Sequence, residues 1–144
     1  METPHYIHLR PGDLLPRIGG AGPFKAVVII EAPVTQAWQQ EVSEWLVRSG
    51  CLYMMAWGEN CSAWDTSVDV ANLEVFDFGD IPEDDSVMTT WHEEESLADT
   101  FWYSEFCAFH PTRKMPETYL VHISRESKGA DLLRAFLEAR QTPS

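Results

Sequence analysis

Four side chains with the chemistry of nucleophilic catalysis follow apolar segments of the sequence. Cys61 is a candidate thiolate nucleophile and His92 a candidate general base. Glu31 or Asp65 would orient the imidazole in such an arrangement. A cysteine at a helix N-terminus is favoured as the thiolate by the helix dipole, which permits a small hydrolase or transferase. The alternative is that Cys61 only packs, because surrounding carboxylates raise the pKa of a thiol.

A run of three acids, Glu93, Glu94 and Glu95, follows His92 and offers oxygen ligands of the kind that Mg²⁺ or Mn²⁺ prefers. The run lacks the second histidine of an H-E-x-x-H motif. Three acids ahead of Ser96 also suit a helix N-terminus on electrostatic grounds. No two cysteines have the C-x-x-C spacing of zinc or redox sites. We therefore expect no bound metal.

The elements that must position these side chains form a pattern repeated four times, a short apolar run followed by a helical period. The runs are Phe24–Ile30, Cys51–Trp57, Val87–Trp91 and Tyr119–Ile123. Their continuous apolar character is typical of parallel strands buried on both faces. The first helical period runs from Thr35 to Gly50, the second begins at about Ser62, and the third runs from about Ser96 to Phe109. The fourth has an amphipathic pattern carried by Leu132, Leu133, Phe136, Leu137 and Arg140.

Four βα units predict an α/β fold, a small doubly wound (Rossmann-like or flavodoxin-like) three-layer domain with about four parallel strands and helices on both faces. We favour the strand order 2-1-3-4, which places the ligand-binding crevice between Glu31 and His92. The alternative order, 3-2-1-4, places it between Glu31 and Ser124. The segment Leu73–Phe78 fits either the end of the second helix or a short strand.

Residues 1–23 are predicted to be a Pro/Gly-rich arm that precedes a single domain over residues 24–144. The arm contains four prolines and the run Gly19-Gly20-Ala21-Gly22, with a short extended piece at Tyr6–Leu9. We interpret the three-residue spacing of His5 and His8 as accidental. Trp57 and Trp91 each end a predicted strand, where they either line the crevice or pack in the core.

The turns after the predicted strands carry acids where a phosphate-binding turn needs glycines and often a lysine. None of the four turns has a G-x-G-x-x-G or G-x-x-x-x-G-K-[ST] motif. We therefore expect no nucleotide cofactor, and no cofactor of another kind is indicated.

Charge is distributed very unevenly along the chain, whose net charge is −13. No lysine or arginine occurs between Arg48 and Arg113, a stretch that holds 14 of the 23 acids. Such a field opposes folding by self-repulsion. Solubility is one explanation for it. The other is a docking surface for a basic protein, because like charges steer association and exclude wrong partners.

Our leading hypothesis is a non-enzymatic, acidic protein-binding module, for example an immunity or inhibitor-type protein that engages a cationic toxin or nuclease. The expected contact residues are Asp80, Glu83, Asp84, Asp85, Glu93, Glu94 and Glu95. The alternative is the enzyme centred on Cys61 and His92. The strong acidity argues against nucleic-acid and anionic membrane partners. Three cysteines and no visible signal sequence predict a cytoplasmic protein.

Five short segments between residues 57 and 122 carry a family resemblance. They are Trp57-Gly58-Glu59-Asn60-Cys61, Trp64-Asp65, Asn72-Leu73-Glu74, Phe78-Gly79-Asp80-Ile81-Pro82 and Met88-Thr89-Thr90-Trp91-His92. Together they resemble a family of small uncharacterised bacterial proteins, over less than half of the chain. The resemblance implies a bacterial cytosolic origin and no activity or residue role.

Overall fold

Five strands and four α-helices alternate along residues 3–18 and 22–141, the part of the chain that the computed structural model describes. In chain order they are β1 (His5–Leu9), β2 (Phe24–Ile30), α1 (Gln36–Ser49), β3 (Cys51–Gly58), α2 (Cys61–Val75), β4 (Met88–Trp91), α3 (Leu97–Phe106), β5 (Glu117–Ile123) and α4 (Gly129–Gln141). The glycine-rich run of the arm lies outside the described residues except for Gly22.

All five strands are parallel and form one sheet in the order β1-β5-β2-β3-β4. The α/β class is confirmed, but the expected number of four strands is wrong. The favoured order 2-1-3-4 is also wrong, because β5 returns to pair with β2 along its whole length, from Phe24↔Glu117 to Ile30↔Ile123. The alternative order, 3-2-1-4, describes these four strands, and β1 is added beside β5.

Burial explains why β5 and not β4 lies next to β2. The last five residues of β5 are all buried, which requires a neighbouring strand on each side and a helix on each face. In contrast, β4 has four residues, of which Met88 and Trp91 are exposed. A short, half-polar strand is suited to a sheet edge.

The fifth strand comes from the predicted arm. The extended piece expected at Tyr6–Leu9 is β1, which pairs with β5 from His5↔Tyr119 to Leu9↔Ile123. The next residues continue along α1, where the indole N–H of Trp38 donates to the Asp13 carbonyl at 3.0 Å. The indole N–H of Trp45 donates to the Pro16 carbonyl at 2.8 Å. The described part of the arm is therefore packed against the domain.

Two apolar layers enclose the sheet and give three layers of structure. One layer joins the sheet to α1 and α2 around Val28, Met54 and Trp64, and the other joins it to α3 and α4 around Ile29, Leu120 and Phe136. No helix among the described residues is long and apolar enough to cross a membrane.

The local signals in the sequence fix most helix ends. The Thr35 hydroxyl accepts from the Trp38 N–H and caps α1, and Gly50 ends this helix with φ of 108°. The ambiguous segment Leu73–Phe78 is the end of α2 followed by a turn, not a strand. Gly58 has φ of 107°, and a Cβ there would lie 2.2 Å from the Ile30 carbonyl oxygen.

Candidate functional site

A buried histidine lies at the carboxyl end of the sheet, where β2 and β5 meet. The His122 side chain is 0% exposed. Its Nε2 is 2.6 Å from Oε1 of Glu31, and its Nδ1 is 2.7 Å from the Tyr6 hydroxyl. Both ring nitrogens are therefore engaged, one by a side chain of β1 and the other by the residue that follows β2. This is the position between Glu31 and Ser124 that the alternative strand order indicates for a crevice.

The residues at the start of α4 contact Tyr6 in this cluster. The backbone N–H of Lys128 donates to the Tyr6 hydroxyl at 3.1 Å, and Ser127 Oγ is 3.3 Å from the same hydroxyl. A Cβ on Gly129 would lie 3.0 Å from the Tyr6 ring, so glycine permits this close approach. The Lys128 ammonium is 4.0 Å from Oε1 of Glu31.

These contacts fit a neutral imidazole with one assignment of protons. The Tyr6 hydroxyl accepts from Lys128 and donates to Nδ1 of His122, whose Nε2–H donates to Glu31. Burial lowers the pKa of His122, against the opposing effect of the Glu31 carboxylate. The array can pass a proton between Tyr6 and Glu31, and the Glu31 end of it is exposed to solvent.

The candidate nucleophile Cys61 begins α2, as expected, but its side chain is only 2% exposed. Burial raises the pKa of this thiol, and the Glu93 carboxylate raises it further. A hydrogen bond with the His92 backbone lowers this pKa and has a larger effect than Glu93, but burial is the largest influence. The thiol is therefore protonated at neutral pH.

The candidate base His92 belongs to a second buried cluster. Its Nδ1 is 2.8 Å from Oε2 of Glu95 and its Nε2 is 2.9 Å from the Thr90 hydroxyl. The Tyr103 ring lies edge-on to the imidazole, with 4.8 Å between ring centroids. The indole N–H of Trp57 donates to the Glu95 carbonyl at 2.8 Å. These contacts hold the turn after β4 against α3.

The structure does not bring the four predicted catalytic residues together. Glu31 ends β2 and contacts His122, and β3 lies between it and the strand that leads to His92. Asp65 lies on α2, and its buried Oδ1 has no hydrogen-bond partner in the part of the chain that the structure describes. Within residues 3–18 and 22–141, no group of three or more His, Cys, Asp or Glu side chains is arranged to hold a metal ion.

The predicted partner-binding acids surround the edge strand β4. Asp80, Glu83, Asp84 and Asp85 precede this strand and Glu93, Glu94 and Glu95 follow it, and all seven are exposed. Asp69 of α2 flanks β4, where its Oδ1 accepts from the Thr89 hydroxyl at 2.9 Å. We call this surface, with β4 at its centre, the acidic edge.

Two exposed apolar side chains lie within the acidic edge. Trp91 is 50% exposed at the end of β4, and Met88 is exposed at its beginning. The alternative that Trp91 packs in the core is wrong, because half of its side chain is exposed. Trp57 is half-buried in the His92 cluster instead.

Sequence reasoning missed Tyr6 and His122 and placed no value on His8. The signal for His122 was present: it is the ionisable residue within the apolar run Tyr119–Ile123. The His8 Nε2 lies 2.9 Å from the Ser124 carbonyl, and its ring is 5.8 Å from that of His122. Nothing in the sequence places Tyr6 beside β5, because that contact depends on the pairing of β1.

The family comparison covers nearly the whole chain. A family model described as "Domain of unknown function (DUF7684)" matches residues 4–139. No curated protein and no solved structure matches the chain. The matched range begins just before β1 and ends within α4, so it includes the full sheet, the first three helices and most of α4. The chain therefore belongs to the DUF7684 family, an uncharacterised family.

Proposed function

We propose that this protein is a protein-binding module whose acidic edge engages a basic protein. The observation that carries the proposal is an exposed tryptophan on an edge strand with exposed acids before and after it. Neither feature is explained by folding, because Trp91 leaves half of its surface in water and the acids repel one another.

Charge supports a cationic partner. The acidic edge lies within the stretch from Arg48 to Arg113, which has no lysine or arginine between its ends. Asp85 lines a cleft with Arg48 and Arg113, whereas Asp84 and Glu93 are absent from that lining and form no ion pair among the described residues. A field of one sign accelerates association with a protein of opposite charge and disfavours acidic competitors.

Aromatic exposure supports a protein partner over a small cation. Tryptophan is enriched among the residues that contribute most to protein–protein binding. Its ring face also attracts lysine and arginine side chains, which a basic partner would supply. The partner class that fits is a cationic toxin or nuclease, with this protein as its immunity or inhibitor-type counterpart in the bacterial cytosol. The free cysteines Cys51, Cys61 and Cys107 agree with a reducing compartment.

The enzyme alternative has less support. Cys61 has a raised pKa and both ring nitrogens of His92 are occupied by Glu95 and Thr90. A hydrolase or transferase that uses this pair would need both residues to rearrange before chemistry.

The test is affinity capture from a lysate of the source organism with two variants of equal charge. The test variant Asp84→Lys/Glu93→Lys changes one acid at each end of β4. The control Glu41→Lys/Glu126→Lys changes one acid on α1 and one after β5. Strand β5 is three strand spacings of about 4.8 Å, or about 14 Å, from β4.

We expect the wild type and the control to enrich the same basic protein, and the test variant to recover at least about tenfold less of it. Raising the salt concentration should release that protein from the wild type. An acidic partner, equal recovery by both variants, or no enriched protein at low salt would contradict the proposal.

A further inference from the structure

We infer that the basic partner binds by adding an extended segment to β4 as a sixth strand of the sheet, a mode of binding that rests on the proposed function. Strand addition supplies affinity through backbone hydrogen bonds and specificity through alternate side chains. The acidic edge offers outward backbone groups for such hydrogen bonds and exposed side chains of β4 for specificity.

The backbone of β4 has free hydrogen-bonding groups on its outer side. The His92 N–H donates to the Ala56 carbonyl at 2.9 Å, and Ala56 is the register partner of Trp91. In a parallel ladder this places the N–H and C=O of Thr90 towards β3, and those of Thr89 and Trp91 away from it. Two N–H and two C=O groups therefore point outward, spaced by about 6.6 Å.

The side chains of β4 present apolar surface on both faces of this edge. The Thr89 hydroxyl bonds to Asp69 of α2, so Thr89 and Trp91 lie on the α1 and α2 face of the sheet. Met88 lies on the opposite face by alternation and is also exposed. An added strand would cover apolar surface on each face, next to Trp91 on one and next to Met88 on the other.

The acids at the two ends of β4 define the rest of the segment. Asp80, Glu83 and Asp84 are exposed ahead of the strand and Glu93 and Glu94 beyond it. The fitting occupant has β-branched or other apolar residues at its centre and lysine or arginine at both ends. A second copy of this chain does not fit, because it would bring a net charge of −13 and its own acids to the same edge.

The other edge of the sheet does not suit a basic segment. Arg10 follows β1, and its Nε–H donates to the Arg125 carbonyl at 3.2 Å. Lys128 lies nearby at the start of α4, where its backbone N–H contacts Tyr6. Arg10 and Lys128 therefore lie near β1 together with Glu31 and Glu117. The chain around β4 has no lysine or arginine between Arg48 and Arg113, and this difference in charge favours β4 over β1.

The experiment uses a library of random 12-residue peptides displayed on phage and selected on the full-length protein. Enriched peptides are synthesised, and their Kd values are measured for the wild type and three variants. Thr89→Pro removes an outward N–H without removing a bond to β3, which is the position where an edge strand tolerates proline. Thr89→Val is its control, since it loses the hydroxyl bond to Asp69 but keeps the N–H.

We expect enriched peptides with basic ends and an apolar centre, bound at least about tenfold more weakly by Thr89→Pro and within about threefold of wild type by Thr89→Val. Amide hydrogen exchange of the wild type should slow at Thr89 and Trp91 when such a peptide binds. This second readout decides the matter if Thr89→Pro does not fold.

Three outcomes would overturn strand addition: equal binding by Thr89→Pro, unchanged exchange at Thr89 and Trp91, or no enrichment of basic peptides. The proposed function is judged separately. If peptides bind Thr89→Pro with the wild-type Kd but do not bind Asp84→Lys/Glu93→Lys, the result supports a basic partner and contradicts the added strand. If the lysate capture also fails for the wild type, both proposals fail.

Discussion

Removing the Tyr6 hydroxyl tests whether the buried His122 array exists in solution. In Tyr6→Phe the ring remains, so no cavity forms, but Nδ1 of His122 loses the donor that lies 2.7 Å away. Ser124 Oγ is 3.4 Å from the same nitrogen, yet it already donates to the Glu126 carbonyl at 2.6 Å. No other side chain of the described residues replaces the lost hydrogen bond.

The expected cost follows from burial. His122 is 0% exposed, so its unpaired Nδ1 cannot recover a hydrogen bond from bulk water. An unsatisfied buried acceptor costs about 1–3 kcal/mol, and we expect a loss of about 2 kcal/mol in the free energy of unfolding. The N–H of Lys128 also loses its acceptor, but it lies at an exposed helix start and returns to water at little cost. For a chain of this size the melting temperature should fall by about 4–8 °C.

The measurement is urea unfolding followed by tryptophan fluorescence, with Tyr119→Phe as the matched control. Tyr119 lies on β5, and its hydroxyl has no hydrogen-bond partner among the described residues, so its loss should cost less than about 0.5 kcal/mol. The slope of the free energy against urea should not change in either variant. Equal stability of Tyr6→Phe and Tyr119→Phe would refute the array.

Two further predictions concern titration. Burial lowers the pKa of His122 below its ordinary value of 6.5, so the unfolded chain binds the proton more readily than the folded one. The stability that the neutral, buried His122 contributes is therefore fully present above about pH 6.5 and is lost as the pH falls towards the lowered pKa. In urea titrations, the free energy of unfolding should fall less for His122→Gln than for the wild type between about pH 7.5 and about pH 5.5. In the second, an aromatic disulfide reagent at neutral pH should modify one thiol of the native protein, the exposed Cys107, and all three after denaturation. Burial raises the pKa of Cys51 to about 12 and also raises that of Cys61, so rapid native labelling of Cys61, tested with Cys61→Ser, would contradict this account and revive the enzyme alternative.

Local sequence signals were sufficient for most elements of this fold, although the expected number of strands was one too few. Phe24–Ile30 is a strand with the predicted bounds, and Thr35 and Gly50 delimit α1 because a hydroxyl cap and a left-handed glycine act within a few residues. The fate of Leu73–Phe78 was ambiguous because its apolar residues fit both periods. Contact of α2 with the sheet resolves it as a helix end.

Contacts between distant segments could not be predicted. Parallel pairing joins residues far apart in sequence, and no local pattern says which strand β5 will join. The strand order therefore had to come from the structure, and with it the meeting of Tyr6, Glu31 and His122. The acids were different: their clustering is visible in the sequence, although their position around an edge strand is not.

The two open edges of the sheet differ in a way that a purely structural account does not explain. Beside β1, the part-buried hydrogen bond between the Tyr6 hydroxyl and Nδ1 of His122 secures the strand to its neighbour. Beside β4, no strand of the described residues pairs with the outward backbone of Thr89 and Trp91, and the tryptophan side chain is half exposed. Solubility alone would be served by acids dispersed along the chain, yet 14 of the 23 acids lie in the stretch without lysine or arginine that contains the acidic edge, where they repel one another. An exposed aromatic ring and clustered acids are each unfavourable for the isolated protein, and a basic strand at β4 would offset both while it pairs the outward backbone groups.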